Sequence, residues 1–422
     1  MTTLESMIAV AGEAPLADSL DFSLPPASTS VVDRRQHVRA YPTSASTLTP
    51  TTTRTVRIRL GGDEFINPAS VRIQYTIVNG SGTNPLVPLT GPWGMWGQVY
   101  ERSGGVEISN IPTYGRFHQQ YGWNQLSMAE QYGEAGLCGM GGNWGNGSSN
   151  VPLMGEIPAG QSYTVMHRLY TTLLSTSKLL PTRYMPLEYE CSLSSTPADW
   201  LNTAGGNSQT FSIQNIQLLY DAYILDESVL ESFYKSLLSN RVLSIPCMVV
   251  YQIQQSIPAG STSFSFSAVR AFSRLSHVWL TFQGTGAKSS QFLCPTSIVA
   301  DNTGSQPDLT DQAPGARLSI GPKFYPDPAP ATTIPELFYM FQKALPGVPN
   351  MDRDDYLRTA FTIAFDVRRM PSDPSSSIST RSGDLLRIDL TNLTANVAST
   401  CWLTLFAFGV TACRETGVTL LT

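Results

Sequence analysis

Alternating hydrophobic and polar residues predict β-strands along most of the chain. From Arg54 onward, Val56, Ile58 and Leu60 alternate with arginines, which is the pattern of a strand with one buried face. Similar runs lie at 71–77, 163–170, 211–225, 248–254, 264–266, 361–367 and 386–390. Short strands spread over the whole chain favour β-sandwiches or barrels over units in which strands alternate with helices.

A helical period interrupts the strands near the middle of the chain. The stretch 226–240 begins with Asp226, a favourable N-cap residue, and its apolar residues recur on one face of a 3.6-residue period. We expect this interdomain helix to pack through Val229, Leu230, Phe233, Tyr234, Leu237 and Leu238. A second helix is predicted over 335–345, and a weaker pair of helices between 114 and 132.

The mid-chain helix divides the sequence into domains. The strand-rich segments on either side cover 51–225 and 241–422, and each has a suitable length for one eight-stranded sandwich. Residues 1–50 are rich in Ser, Thr, Pro and Ala and show no sustained period, which predicts an extended N-terminal arm. The predicted fold is therefore all-β, with two tandem eight-stranded β-sandwiches and few short helices.

The composition indicates a surface with few charges. Charged residues make up 14% of the chain, against about 25% in an average soluble protein, so much of the polar surface must be uncharged or buried against partners. Because the formal net charge is -5, no global basic field exists to collect nucleic acid or anionic lipid. Arginine far outnumbers lysine, a bias that subunit interfaces share.

The sequence lacks the motifs of the common chemistries. It contains no glycine-rich phosphate loop, no serine-hydrolase elbow and no paired cysteines with zinc-ligand spacing. If His118 and His167 meet in space, we expect hydrogen-bonded structural histidines. The acidic cluster Asp352, Asp354 and Asp355 predicts a solvated turn, with an ion that bridges subunits as the alternative. We expect no catalytic residue, no metal and no cofactor.

The sequence also lacks targeting segments that would place the chain in a membrane or outside the cell. The short apolar run near the N-terminus has no basic n-region and is interrupted by Glu13, so it is a poor signal peptide. No stretch of eighteen apolar residues exists, which predicts no transmembrane helix. The scattered cysteines favour a reduced compartment with buried thiols.

Tryptophan is concentrated in one region. Four of the seven tryptophans fall within about fifty residues, namely Trp93, Trp96, Trp123 and Trp144. A stacking platform for nucleic acid needs basic residues to follow the backbone, and only Arg102 and Arg116 are near. Since aromatic residues dominate interface cores, we expect these tryptophans to pack a long loop on its sandwich or on a neighbouring subunit.

Several segments follow one another in a recognisable order. An early strand pair at 97–100 and 106–110 precedes a partly helical excursion, a strand at 216–225 leads into the mid-chain helix, 248–257 opens the second half, and a final strand lies at 401–410. This order resembles the double jelly-roll major capsid proteins of polinton-like viruses, adintoviruses and virophages. One departure is Thr182, which stands where the family's Leu-Leu-Pro-Gly turn usually has glycine.

The resemblance implies two tandem eight-stranded jelly rolls and a structural role without catalysis. Such a subunit self-assembles, inside the host cell, as pseudo-hexagonal homotrimers into an icosahedral virion shell around a double-stranded DNA genome. The implied partners are the chain itself, penton proteins and minor or cement capsid proteins, with at most non-specific contact to genome DNA or an inner membrane. The arm would run beneath the shell, with inner-face contacts through Arg34, Arg35 and Arg39.

Three other classes of protein stay open. The nearest is a tandem jelly-roll coat protein of another virus lineage. A secreted lectin or adhesin built from two sandwiches predicts a signal peptide and paired cysteines, and the sequence shows neither. A jelly-roll enzyme of the cupin type predicts two or three histidines that converge on a metal from adjacent strands.

Overall fold

The computed structural model describes residues 32–138, 155–202, 206–238, 242–284, 313–345, 351, 356–357, 360–370, 376–381, 385–393, 399–414 and 417–421. In the first half the strands are β1 (Val32–Ala40), β2 (Thr55–Leu60), β3 (Phe65–Ile66), β4 (Arg72–Asn79), β5 (Trp96–Ser103), β6 (Val106–Ile111), β7 (Ser162–Arg168), β8 (Leu180–Pro181), β9 (Leu187–Leu193) and β10 (Phe211–Leu225). In the second half they are β11 (Leu243–Ile257), β12 (Phe264–Ala268), β13 (Leu275–Gly284), β14 (Gly315–Ile320), β15 (Lys323–Tyr325), β16 (Ile363–Asp366), β17 (Leu386–Thr391), β18 (Ser399–Arg414) and β19 (Gly417–Leu421).

Helices lie in the connections between strands. Helix α1 (Tyr114–Phe117) continues into a π-helical segment (His118–Trp123), and α2 covers Met128–Leu137. Helix α3 (Glu227–Leu238) joins β10 to β11, where the sequence predicts 226–240, and α4 covers Ile334–Ala344, where it predicts 335–345. In the described parts of the chain no helix is long and apolar enough to cross a membrane.

The two halves repeat one strand order. In the first half, β7-β4-β10-β1 form one sheet, in which β10 also pairs with the two-residue strand β3 and β3 with β8, and β2-β9-β5-β6 form the other. In the second half, β11-β18-β13-β16 form one sheet, extended by β19, and β12-β17-β14-β15 form the other. When β3, β8 and β19 are set aside, eight strands are left in each half. Numbered 1 to 8 along the chain, they form sheets of order 1-8-3-6 and 2-7-4-5 in both halves. This is the jelly-roll topology, so the chain folds into two tandem jelly rolls.

Side-chain alternation explains why these segments form strands. Along β4, Ile73, Tyr75 and Ile77 are buried, while Gln74 and Thr76 on the opposite face are half-buried. This is the period of two that a sheet with one covered face requires. The strands predicted from such patterns are confirmed, and the bounds of β10 coincide with the predicted stretch 211–225.

The first jelly roll begins earlier than the sequence predicts. The expected arm covers residues 1–50, but β1 is a strand that pairs with β10 from Val32 opposite Leu225 to Ala40 opposite Leu218. It supplies the first strand of the first roll, and Val38 and Ala40 pack against the core. The prediction of an arm is therefore wrong for residues 32–40, and residues 1–31 lie outside the described residues.

The apolar face of the mid-chain helix is only partly covered. In α3, Val229 and Leu230 are half-buried, whereas Tyr234 keeps 50% of its surface exposed. The side chains of Phe233, Leu237 and Leu238 lie outside the described residues. In α4, by contrast, Leu337 and Phe341 are completely buried against the second roll.

Thr182 fills the position where the resemblance expects glycine. Its backbone N–H donates to the carbonyl of Glu64 at 3.1 Å, and its hydroxyl donates to the same carbonyl at 2.7 Å. Among the described residues, the only non-glycine residues with positive φ are Asn215 and Asn392. The turn at Thr182 therefore does not use the left-handed backbone conformation that favours glycine.

Candidate functional site at the junction of the two jelly rolls

The connection after β6 reaches across to the second roll and forms polar contacts there. The backbone N–H and the hydroxyl of Thr113 both donate to Oε1 of Gln252 on β11, at 3.1 and 2.8 Å. The amide Nε2 of Gln120 donates to the hydroxyl of Thr362 at 2.8 Å. Gln252, Gln120 and Thr362 are buried and Thr113 is half-buried, so these bonds satisfy polar side chains that have little access to water.

Aromatic rings fill the space between these polar contacts. Phe406 on β18 lies 6.1 Å from Phe117 and 5.6 Å from Tyr121, measured between ring centroids. Tyr121 also lies 6.2 Å from Trp279 on β13, and Trp279 lies 4.5 Å from Phe406. Phe117 and Tyr121 come from the first roll and the other two rings from the second, so the rolls share a hydrophobic contact.

Arg116 crosses the junction as a buried cation. Its Nη2 donates to the carbonyl of Phe282 at 2.7 Å, and its guanidinium lies 4.2 Å from the ring centroid of Trp402. Burial lowers the pKa of Arg116 to about 9, so the group keeps its charge at neutral pH. The contact with an indole face is a cation–π interaction that is strongest when both partners are desolvated.

A second set of contacts joins the rolls farther along the same boundary. The backbone N–H of Met248 on β11 donates to the hydroxyl of Ser175 at 2.8 Å. The edge strand β6 lies beside β11 and β19. The first roll therefore contacts the second through β6, the segment after it and the turn at Ser175, while the second receives them on β11 and the outer face of its larger sheet.

The junction predicts a measurable effect at Gln252. We expect Gln252→Leu to lower the free energy of unfolding by about 1–3 kcal/mol, because the N–H and hydroxyl of the half-buried Thr113 lose an acceptor that the buried Gln252 supplies. Thermal unfolding measures the change. The matched control is Gln217→Leu, which removes the 3.0 Å bond to Gln74 on a half-exposed sheet face, where water replaces the lost partner. An equal loss in both variants would contradict the role of the junction.

Two histidines meet in a buried aromatic cluster beside the junction. The ring centroids of His118 and His167 lie 5.2 Å apart, and the ring of Trp93 stacks on that of His118 with 4.3 Å between centroids. Nε2 of His118 lies 3.0 Å from the carbonyl of Arg168, and Nε2 of His167 lies 3.1 Å from the hydroxyl of Tyr75. Burial lowers the pKa of both rings, that of His167 to about 4. These contacts are those of neutral, packed, hydrogen-bonded histidines.

No group of three or more His, Cys, Asp or Glu side chains converges within the described residues. The acidic cluster Asp352, Asp354 and Asp355 lies outside them.

The tryptophans differ from the expectation of a subunit interface. Trp93, Trp96 and Trp123 expose 1%, 1% and 3% of their surfaces, so they pack inside their own chain and leave almost nothing for a neighbour. Trp93 also donates from Nε1 to the side-chain oxygen of Gln119 at 3.0 Å. For these three residues the interface prediction is wrong. Trp96 is the first residue of β5, and Trp93 and Trp123 pack against each other in the connections around the β5–β6 pair. Trp144 lies outside the described residues.

The three arginines expected on an arm lie on strand β1 instead. Arg34, Arg35 and Arg39 are exposed along this strand. Nη2 of Arg35 contacts the carboxylate of Asp221 at 2.6 Å, which lowers the pKa of that carboxyl group. These side chains therefore belong to the surface of the first roll.

Sequence reasoning missed the residues that join the two rolls. Thr113 and Arg116 lie in the segment that the family resemblance singles out, but nothing in the sequence predicts their partners. The acceptors Gln252 and Phe282 follow 139 and 166 residues later. Only the position of the segment after the early strand pair signals its importance.

Comparisons with known proteins give a match in structure only. No protein-family model and no curated protein matches by sequence. The PBCV-1 virus capsid aligns with a TM-score of 0.64 at 11% identity, over 95% of this chain and 99% of that chain. The Sputnik virophage structure aligns with a TM-score of 0.59 at 10% identity, over 96% of this chain and 92% of that chain. The Faustovirus major capsid protein aligns with a TM-score of 0.59 at 9% identity, over 99% of this chain and 94% of that chain.

These similarities define the class of fold. The aligned structures are double jelly-roll major capsid proteins, and each alignment covers nearly the whole of both chains. At such low identity the likeness shows the fold alone. This chain is thus a double jelly-roll protein, with the fold of the PBCV-1, Sputnik and Faustovirus capsid proteins.

Proposed function

We propose that this chain is the major capsid protein of a double-stranded DNA virus. It acts by self-assembly, without catalysis and without a cofactor, and its place is the virion. The observation that carries the proposal is the head-to-tail junction between the two rolls. The fold that the chain shares with capsid proteins, over nearly the full length of each, supports the same role.

A head-to-tail contact between similar units has a geometric consequence. The first roll contributes β6 and the following segment, whereas the second contributes β11 and its outer sheet face, so the two surfaces are different. A contact of this kind is heterologous, and its repetition generates a closed ring or an open filament. In our proposal three chains close a ring of six rolls, which is a pseudo-hexagonal homotrimer that tiles an icosahedral shell.

The net charge of the chain fits a shell whose genome is packaged by a motor and is not collected by a basic coat protein. With a net charge of -5, the protein does not neutralise a genome, which agrees with double-stranded DNA packaged by a motor. Residues 1–31 contain four acidic residues and no basic ones. We propose that this shorter arm ties neighbouring trimers together, and that penton and minor capsid proteins complete the shell.

The native mass of the purified full-length chain tests this function. We expect light scattering on a sizing column to give about three times 45.9 kDa, or larger closed shells, because the chain carries both halves of a heterologous contact. A chain that stays monomeric at high concentration and binds glycans would contradict the proposal and favour a lectin.

A further inference from the structure

We propose that β1 of one copy receives β15 and the segment 326–345 of the next copy. This inference rests on the homotrimer proposed above and specifies the contact between its subunits. It identifies the two surfaces of the chain that meet between subunits, and the occupant of each is a second copy of the same chain.

The repeated strand order supplies the first step. Within the chain, the fifth strand of the first roll, β6, and the segment after it lie on the second roll beside its first strand, β11. The fifth strand of the second roll is β15, and the first strand of the first roll is β1. If the intrachain contact repeats between copies, β15 and the segment after it lie beside β1 of a neighbour.

The second step is that both strands have a free edge within the described residues. There β1 pairs only with β10, and β15 pairs only with β14. Over residues 33–40, the edge strand β1 presents backbone groups that favour association with another chain. The corresponding edge in the second roll, that of β11, is covered by β6 inside the chain.

The third step concerns the side chains on the donating surface. Phe324 on β15 exposes 42% of its surface, and the guanidinium of Arg317 lies 3.9 Å from its ring centroid. On α4, Tyr339 exposes 55%, with Nζ of Lys343 at 4.5 Å from its ring. Aromatic side chains and arginine are the residue types that anchor protein interfaces.

The receiving surface is polar. This polarity determines how strong the contact between copies is, relative to the contact between the two rolls of one chain. On the outer sheet face of the first roll, Gln217 bonds Gln74 at 3.0 Å, and the hydroxyls of Thr76 and Thr164 lie 2.9 Å apart. The equivalent face of the second roll instead presents buried aromatic rings to the junction. We therefore infer that the copies separate from one another before the two rolls of one chain separate.

Matched substitutions test this contact in the full-length chain. We expect Phe324→Glu to raise the concentration at which half of the trimer dissociates by at least tenfold, because it places a charge in the interface. The control is Val269→Glu, directly after β12 at the opposite edge of the sheet from β15, where valine exposes 83% of its surface. This variant should keep the mass of the wild type.

Cross-linking gives an independent readout. We expect the double variant His37→Cys with Phe324→Cys to yield a covalent trimer with a short bis-maleimide, whereas His37→Cys with Val269→Cys yields none. If the wild type is trimeric but the Phe324→Glu variant dissociates no more readily, or if both cysteine pairs cross-link equally, the proposed contact between β15 and β1 is wrong. The proposed homotrimer would then still stand. A monomeric wild type would overturn the proposed function as well.

Discussion

Phe406→Ala is expected to lower the free energy of unfolding by about 4 kcal/mol, because it removes a completely buried ring and leaves a cavity. The ring of Phe406 lies at the centre of the junction, within 6.1 Å of Phe117, 5.6 Å of Tyr121 and 4.5 Å of Trp279. Its loss therefore weakens the contact between the rolls as well as the second sandwich. Denaturant unfolding measures the loss of stability, and the fraction of trimer measures the weakened contact between the rolls.

A matched control separates the two effects. Phe266 is also completely buried, but it lies on β12, away from the junction. We expect Phe266→Ala to cost a similar free energy of unfolding and to leave the trimer fraction unchanged at temperatures where the chain stays folded. If both variants reduce assembly equally, the junction does not set the orientation of the rolls.

Acidification is expected to destabilise the fold between pH 6.5 and about 4. Burial lowers the pKa of His167 and His277 to about 4, and burial together with His167 lowers that of His118 well below its usual value. Below pH 6.5 the unfolded chain binds protons that these buried rings do not, so stability falls as the pH falls. For His167 the loss reaches about 3 kcal/mol near pH 4. Burial raises the pKa of Glu101, which offsets part of the loss.

Thermal unfolding as a function of pH measures this effect. We expect His167→Gln to flatten the dependence above pH 4.5, since an amide hydrogen-bonds without titrating. The control Phe266→Ala removes a buried ring that carries no titrating group and should lower the midpoint without changing its dependence on pH. A midpoint that stays constant from pH 6.5 to 4.5 in the wild type would contradict the burial of neutral histidines.

Regular alternation made most strands predictable, and its absence hid β1. The bounds of β10 follow from its own sequence because apolar and polar residues alternate along it. In β1 only Val32, Val38 and Ala40 are apolar, among arginines and other polar residues. This strand is held by its backbone pairing with β10, about 185 residues later, and no local pattern reveals such a partner.

The junction was beyond sequence reasoning for a related reason. Gln120 and Thr362 are 242 residues apart, and each lies in a connection without a period. Composition did indicate interfaces, through tryptophan density and the excess of arginine. For Arg116 the interface is internal, because its guanidinium joins the two rolls of one chain. Trp93 packs within the first roll, against His118 and Trp123.

Electron microscopy of the main oligomer tests the central claim most directly. We predict negative-stain class averages with six lobes and threefold symmetry, since each chain contributes two rolls joined head to tail. Fitting the double roll into a three-dimensional reconstruction should place β15 of one copy beside β1 of the next. Separate two-lobed particles, or dimers related by a twofold axis through identical surfaces, would contradict the account.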